Sequence, residues 1–312
     1  MASPSPLMPR VNRGFSGFWQ RFMTGQLAER EFGWMLLAPA FILLIGIFLY
    51  PMINVLLLTF RVQEIADPSQ VSTSLENYSR LFRDQTFIDA FWRTLWFGIL
   101  TVVGSFLVGL PLALLANVKT GWRWVVRIAL LLPWAMPQVI AGTMFAWMFN
   151  SQFGLFNDLL LRFNLIEQPI RWLLQPDTQV IAFVVTTIWK TSSFVALILL
   201  GGLQSIPIEL EEAATVDGAS SWQIFWRITL PLLRPAIAVA LIFRTLSALQ
   251  VFDIPYAFKQ AGALNLETLG MYIQKTTVEF TDFGYGATVS LGLFVLALVI
   301  TTIYVRFVRT ET

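Results

Sequence analysis

The chain has 312 residues, 56% of them hydrophobic and only 13% charged, with a formal net charge of +2. A soluble domain carries about 25% charge, so these side chains cannot cover a water-facing surface of this size, and so small a net charge gives no reason to expect nucleic-acid binding. Cysteine and histidine are both absent, which excludes disulfides, thiolate and Ser-His nucleophiles, and metal sites built on His or Cys.

The composition points to one membrane-embedded unit. In residues 1–33, Phe15, Phe18, Trp19 and Phe22 recur at helical spacing beside Arg13 and Arg21. That pattern suits an amphipathic helix lying in the membrane interface, with a disordered tail as the alternative. Six apolar runs follow, at 35–60, 94–118, 128–149, 178–203, 229–252 and 286–305. Each reaches the roughly 20 residues that a membrane-spanning helix needs. The expected fold is therefore an all-α polytopic membrane protein with six transmembrane helices in residues 34–308, ending in a short tail at 309–312. An even number of spans puts both termini on one side. The short loop at 117–127 carries Lys119, Arg123 and Arg127 and no acid, which by the positive-inside rule places that side in the cytoplasm. The segments 61–90, 150–177 and 253–285 then face the other side.

The cytoplasmic segment 204–231 predicts two short helices around a sharp turn. Pro207 fits the first turn of helix one, and Glu209, Glu211 and Glu212 fall near its positive end. Gly218 is a terminator able to take positive φ. Ser220 and Gln223 form a capping-box pattern for helix two, and Pro231 breaks or kinks the chain where it re-enters the membrane. Membrane stability requires no such object, so the segment reads as a docking element.

Glu212-Ala213-Ala214, three residues, Gly218, nine residues, Ile228, one residue and Leu230-Pro231 fit the EAA-x3-G-x9-I-x-LP pattern at every fixed position. The chain thus resembles the permease subunits of ABC importers. Residues 75–94, 133–157 and 188–207, with Phe252-Asp253, Tyr256 and Phe283-Gly284-Tyr285-Gly286-Ala287, are similar to the carbohydrate (MalF/UgpA/SugA-like) group. The resemblance implies a type I ABC importer (MetI-like) transmembrane domain in a prokaryotic inner membrane. It implies that 204–231 is a coupling helix and that Glu212, Ala213, Ala214, Asp217, Gly218, Ile228, Leu230 and Pro231 form its ATPase-coupling surface. The implied partners are a second, MalG-like permease subunit, two ATPase subunits, an extracytoplasmic substrate-binding protein and membrane lipid. The chain has no G-x-x-x-x-G-K-[ST] phosphate loop, so no cofactor is expected in it, and ATP and Mg belong to the ATPase subunits. The absence of a Gly-rich tail after the sixth span favours the MalF-like half. Departures from the family pattern are Ser193 where Pro is frequent, Arg93 where Asn is frequent, and Ala261-Gly262-Ala263-Leu264 in place of a Gly-Gly-Pro turn.

Two cations lie inside spans, Lys190 and Arg244. Such residues face a polar cavity, a partner or backbone carbonyls. Thr186, Lys190 and Ser193 make one stripe, and Arg244 shares a face with Ser247. A sugar site also needs hydroxyl partners and aromatic faces. Trp147, Asn150, Trp189, Gln250, Asp253 and Tyr256 complete the substrate-path candidates, although Trp147 and Tyr256 equally suit an interfacial aromatic belt. The alternative within the same family is a permease for a non-sugar solute such as an amino acid or an oxyanion. An autonomous secondary transporter or channel would also explain the charged spans, but it leaves the 204–231 segment without a purpose.

Overall fold

The computed structural model describes residues 29–63, 71–118, 121–263 and 266–309. The expected interfacial helix at 15–22, Lys119, Leu264 and the end of the C-terminal tail lie outside the described residues. The chain forms two compact units, one ending at Leu57 and the other beginning at Leu58.

In the first unit, α1 (Glu29–Leu43) and α2 (Tyr50–Leu58) are joined by a π-helical stretch at Leu44–Leu49, where Tyr50 donates to the Ile45 carbonyl. The wide turn sits just before Pro51, whose missing N–H leaves the Ile47 carbonyl without its usual helical donor. Phe32–Leu58 is a continuous apolar rod with no buried face within its unit, as expected of a helix solvated by lipid.

The second unit opens with a small antiparallel hairpin of β1 (Arg61–Gln63) and β2 (Val71–Thr73), an addition to the all-helical expectation, and with α3 (Glu76–Leu81). Then comes α4 (Gln85–Asn117), 33 residues and thus roughly 50 Å long. It lies against α8 (Pro176–Gln204) in the most extensive helix pairing of the fold. Glycines permit the approach. A Cβ added at Gly109 would fall 2.9 Å from the Ser192 carbonyl oxygen, and one at Gly104 would fall on Ile188. Ser105 and Thr191 hydroxyls bond across the same seam at 2.6 Å.

The third span departs from expectation. It is not one helix but two, α5 (Arg123–Ala135) and α6 (Gln138–Met148), bent by 96° at Met136-Pro137. Two prolines explain the break. Pro137 offers no N–H to the Pro133 carbonyl four residues earlier, and it disfavours helical geometry at Met136, which is extended. Beyond α6 stands α7 (Leu155–Arg162).

After α8 the chain forms α9 (Ile208–Val216), α10 (Ser221–Ile224), a π-helical stretch at Phe225–Thr229, α11 (Leu230–Leu232) and α12 (Arg234–Leu249). The expected break or kink at Pro231 takes the form of a π-helical stretch before the proline and a one-residue turn at Leu233 after it. The Leu230 amide reaches back five residues to the Phe225 carbonyl, and this wide turn absorbs the proline as the turn before Pro51 does. The far segment 253–285 is largely helical, with α13 (Asp253–Gln260) and α14 (Leu269–Gln274) followed by a π-helical stretch at Lys275–Glu279. The final helix is α15 (Phe283–Arg309). The described residues thus hold five long apolar helices plus one bent pair.

The start of α4, the hairpin, α13 and α14 lie at one end of the unit, and the α9–α10 turn lies at the other. Buried side chains gather in one cluster around Phe97, Phe145, Phe183 and Phe258, a second around Leu199 and Leu233 near the turn, and a third around Tyr272, Tyr285 and Val289. Large apolar side chains along the helices, Leu107, Leu132 and Phe294 among them, are more than half exposed, a surface that suits lipid and not water.

Candidate functional site: a coupling loop and a membrane cavity

The turn segment is built almost wholly from local interactions. Pro207 stands at the N-cap of α9, one residue earlier than expected, and Glu209 and Glu211 occupy the first turn. At the other end the Ala219 amide bonds the Ala214 carbonyl at 2.9 Å, and the Gly218 amide bonds the Thr215 carbonyl at 3.0 Å. This pair of bonds is a Schellman motif, which requires a left-handed residue between them. Gly218 supplies it at φ +83°. Ser220 then caps α10. Its hydroxyl accepts from the Gln223 amide, and the Gln223 side-chain oxygen accepts from the Ser220 amide at 2.8 Å.

The result is a rigid angled pair of helices with an apolar tip. Val216 is 87% exposed and Trp222 70% exposed. Between this pair and the end of α4 lies a cavity of about 750 Å³, lined by Asn117, Leu203, Glu211, Glu212, Thr215 and Phe225 among others. Glu212, Ala213, Asp217 and Gly218 are on the surface, and Ala214 is half-buried. Ile228, Leu230 and Pro231 lie half-buried along the returning helix. The pattern residues therefore divide into a surface group and a group that anchors the surface group to α12.

Within the membrane-spanning region, Lys190 is buried on α8. Its ammonium donates to the Pro133 and Trp134 carbonyls at 2.6 and 2.7 Å. These are the acceptors left over where α5 stops, so Lys190 satisfies the carbonyls that the proline break exposes. Arg244 on α12 is 3% exposed. Its Nε donates to the Ser105 hydroxyl at 3.3 Å. A charge at mid-membrane costs about 2.5–3.5 kcal/mol on insertion scales, and each of these cations has a polar partner, two carbonyls for Lys190 and the Ser105 hydroxyl for Arg244. Lys190 and Arg244 also line one cavity of about 330 Å³, together with Ser247, Thr191, Gln138 and Trp134. Lys190 thus bonds two carbonyls and also borders this cavity.

Three comparisons bear on this arrangement. The model of the binding-protein-dependent transport system inner membrane component family matches residues 105–311. The chain belongs to this family. Over 99% of both chains it is 42% identical to a sulfoquinovosyl glycerol transport system permease protein of Agrobacterium fabrum. It is 34% identical to a trehalose/maltose transport system permease protein of Thermococcus litoralis, over 92% of this chain and 97% of that one. In fold it matches a chain of a bacterial alginate ABC transporter crystallised with an alginate pentasaccharide-bound periplasmic protein, with a TM-score of 0.80 and 24% identity, covering 96% of this chain and 99% of that one. The protein is a multi-pass inner-membrane permease subunit of an ABC importer.

Of the permease's other substrate-path candidates, Ser193 is buried and bonds the Lys190 carbonyl. Together with Trp189 it faces a separate apolar pocket beside Leu112 and Val126. Trp189 also packs on Phe145, with ring centroids 5.0 Å apart. Trp147 is 67% exposed, and the Asn150 side chain closes a turn by accepting from the Gln152 amide at 2.8 Å. Gln250 ends α12, Asp253 begins α13, and Tyr256 stacks on Phe252. The structure thus gathers Lys190, Arg244 and Ser247 around one cavity, which Ser193, although bonded to the Lys190 carbonyl, and the other candidates do not line.

A polar cluster at the far end has no counterpart in the sequence reading. Asp84 caps α4 by accepting from the Thr86 and Phe87 amides. Its other carboxylate oxygen accepts from the Tyr272 and Tyr285 hydroxyls. Arg80 pairs with Asp282 at 2.8 Å and lies over the Tyr285 ring at 4.0 Å. Burial pushes the Asp84 carboxyl up, but the two tyrosine hydroxyls and the two amides outweigh it and hold the group below its ordinary range. Burial and the adjacent Asp84 push the Tyr272 hydroxyl well up. The helix cap at Asp84 was readable before an apolar run. Its tyrosine partners, 188 and 201 residues away, gave no local signal.

Proposed function

We propose that this chain is one of the two membrane subunits of a binding-protein-dependent importer for a sugar or glycoside of di- or oligosaccharide size. Two separate ATPase subunits seat on the α9–α10 surface, bind ATP and Mg, and hydrolyse the nucleotide. A MalG-like second subunit completes the pathway, and an extracytoplasmic binding protein delivers the solute to the opposite face. The coupling loop and both termini are cytoplasmic. ATP-driven closure of the ATPases moves the loop, and the helices alternate between inward-open and outward-open states.

The observation that carries this reading is the preformed, angled helix pair with Val216 and Trp222 exposed at its tip. An apolar knob on a rigid base suits a socket on another protein. The full-length likeness to permeases named for sulfoquinovosyl glycerol and for trehalose and maltose supports the sugar class. The test is purification of the tagged chain followed by reconstitution. The expected result is co-purification of a second membrane subunit and an ATPase, with sugar uptake into proteoliposomes that requires binding protein and ATP. Uptake by the chain alone without ATP would overturn the proposal.

A further inference from the structure

The cavity between α5, α6, α8 and α12 has an electrostatic character that sugar hydroxyls do not need. Arg244 is 3% exposed, and while its Nε holds Ser105, its Nη2 is buried and has no partner among the described residues. Lys190 beside it bonds only neutral carbonyls. No Asp or Glu lines the cavity. The N-terminus of α6, an eleven-residue helix, opens on the same space through Pro137 and Gln138, and no side chain caps it. Two cations and the positive end of a helix therefore converge with no anion among the described residues to answer them. A buried guanidinium and a free helix N-terminus are complementary to a carboxylate, sulfonate or phosphate oxygen. The cavity, about 330 Å³, is within the ~300–1,000 Å³ range of small-molecule sites.

We propose that this cavity is a subsite for an anionic substituent on the transported glycoside, with the Arg244 guanidinium as its principal ligand and the α6 N-terminus as its second. The inference rests on the sugar-permease reading above. Lys190 is a positioning residue here: it holds α5 at the break and so aims α6 at the cavity.

The test uses the whole importer, permease pair plus ATPases, in lipid nanodiscs without binding protein, so that the binding protein's own selectivity does not intervene. Equilibrium binding is measured for two probes of matched size, radiolabelled glucosylglycerol and radiolabelled glucuronosylglycerol. The acidic probe is expected to bind at least about tenfold more tightly, a ratio equal to about 1.4 kcal/mol. Arg244→Gln should bring the two within about twofold, and Arg244→Lys should keep the preference. The wild-type ratio decides the matter whether or not a variant folds. Equal or tighter binding of the neutral probe overturns the anionic subsite and leaves the sugar reading standing. Binding of neither probe overturns the subsite, and the sugar reading is then judged separately by uptake with binding protein and ATP. Absence of the preference together with loss of the second membrane subunit from Arg244→Gln assigns the guanidinium to a subunit contact and overturns the proposal.

Discussion

Gly218 offers the cleanest separation of coupling from folding. Its φ is +83°, and a Cβ built there meets nothing within 4 Å. A substitution therefore costs backbone energy alone, without a clash. For an ordinary L-residue the left-handed conformation costs about 1–2 kcal/mol, and Asn adopts it more readily. The turn is held by the two bonds of the Schellman motif and the Ser220 capping box, none of which involves the membrane helices. Gly218→Ala should thus depopulate the native turn about 5- to 30-fold relative to its alternatives. Gly218→Val should be worse because its branched Cβ resists this region, and Gly218→Asn should be mildest. The assay is the ratio of sugar transported to ATP hydrolysed in proteoliposomes, with membrane insertion and thermal stability measured in parallel. The ratio is expected to fall in the order Asn, Ala, Val while insertion stays constant. A Val variant with wild-type coupling, or an Asn variant as impaired as Val, would refute the link between this backbone conformation and coupling.

Other expectations concern the helices and the far end. Gly109→Ala places a Cβ 2.9 Å from the Ser192 carbonyl oxygen and 2.8 Å from Val195 Cγ1; it should wedge α4 from α8 and cost about 1–3 kcal/mol, read as a lowered Tm of the purified complex. Gly104→Ala meets only the Ile188 side chain, whose end can turn away, so its Tm loss should be the smaller of the two. Lys190→Met strips the donor from the Pro133 and Trp134 carbonyls, leaving two unmade hydrogen bonds at about 1–3 kcal/mol each. The 96° bend should loosen, detectable as a broadened distance between spin labels placed on α5 and α6, with transport lost and insertion retained. Asp84 has a folded-state pKa below its ordinary 3.8, so its contribution is complete above that value and is lost as pH falls through the lower one. The Tm of the wild type should therefore drop by more than that of Asp84→Asn as pH is lowered below about 3.8, and equal drops would refute the role of the tyrosine–carboxylate cluster.

Local chemistry was legible in the chain and distant pairing was not. The coupling loop is specified by neighbours a few residues apart, Gly218 with Ala214 and Thr215, Ser220 with Gln223, so residue type and spacing sufficed. The spans were legible because lipid imposes one rule on every residue of a run. The bend of the third span was missed because an apolar count does not register direction; Pro133 and Pro137 four residues apart were the available signal. At Pro231 the expected break or kink is spread over a π-helical turn before the proline and a turn at Leu233 after it. For the cavity, the two cations stood out as charges within apolar runs, but their convergence depends on α8 packing against both α5 and α12, which no spacing along the chain encodes.

That convergence has a mechanical consequence. Lys190 precedes Gln204, the end of α8, by fourteen residues, and Arg244 follows Leu230 by the same number, so each cation stands roughly 21 Å along its helix from the coupling segment. The two helices that leave the coupling loop therefore carry the two cations to the same depth. They are not equivalent levers. From the loop to Lys190 the path is one unbroken helix, α8. From the loop to Arg244 it passes a π-helical stretch at Phe225–Thr229 and a turn at Leu233. Wide turns and interrupted hydrogen bonding are where a helix bends at least cost. A push on the loop should then move Lys190, and with it the α5 carbonyls, as a rigid body, while the α12 path flexes and Arg244 lags. Under the proposed function, the spacing between the two cations is the variable that movement of the loop sets, which ties the α9–α10 segment to the cavity through two named helices.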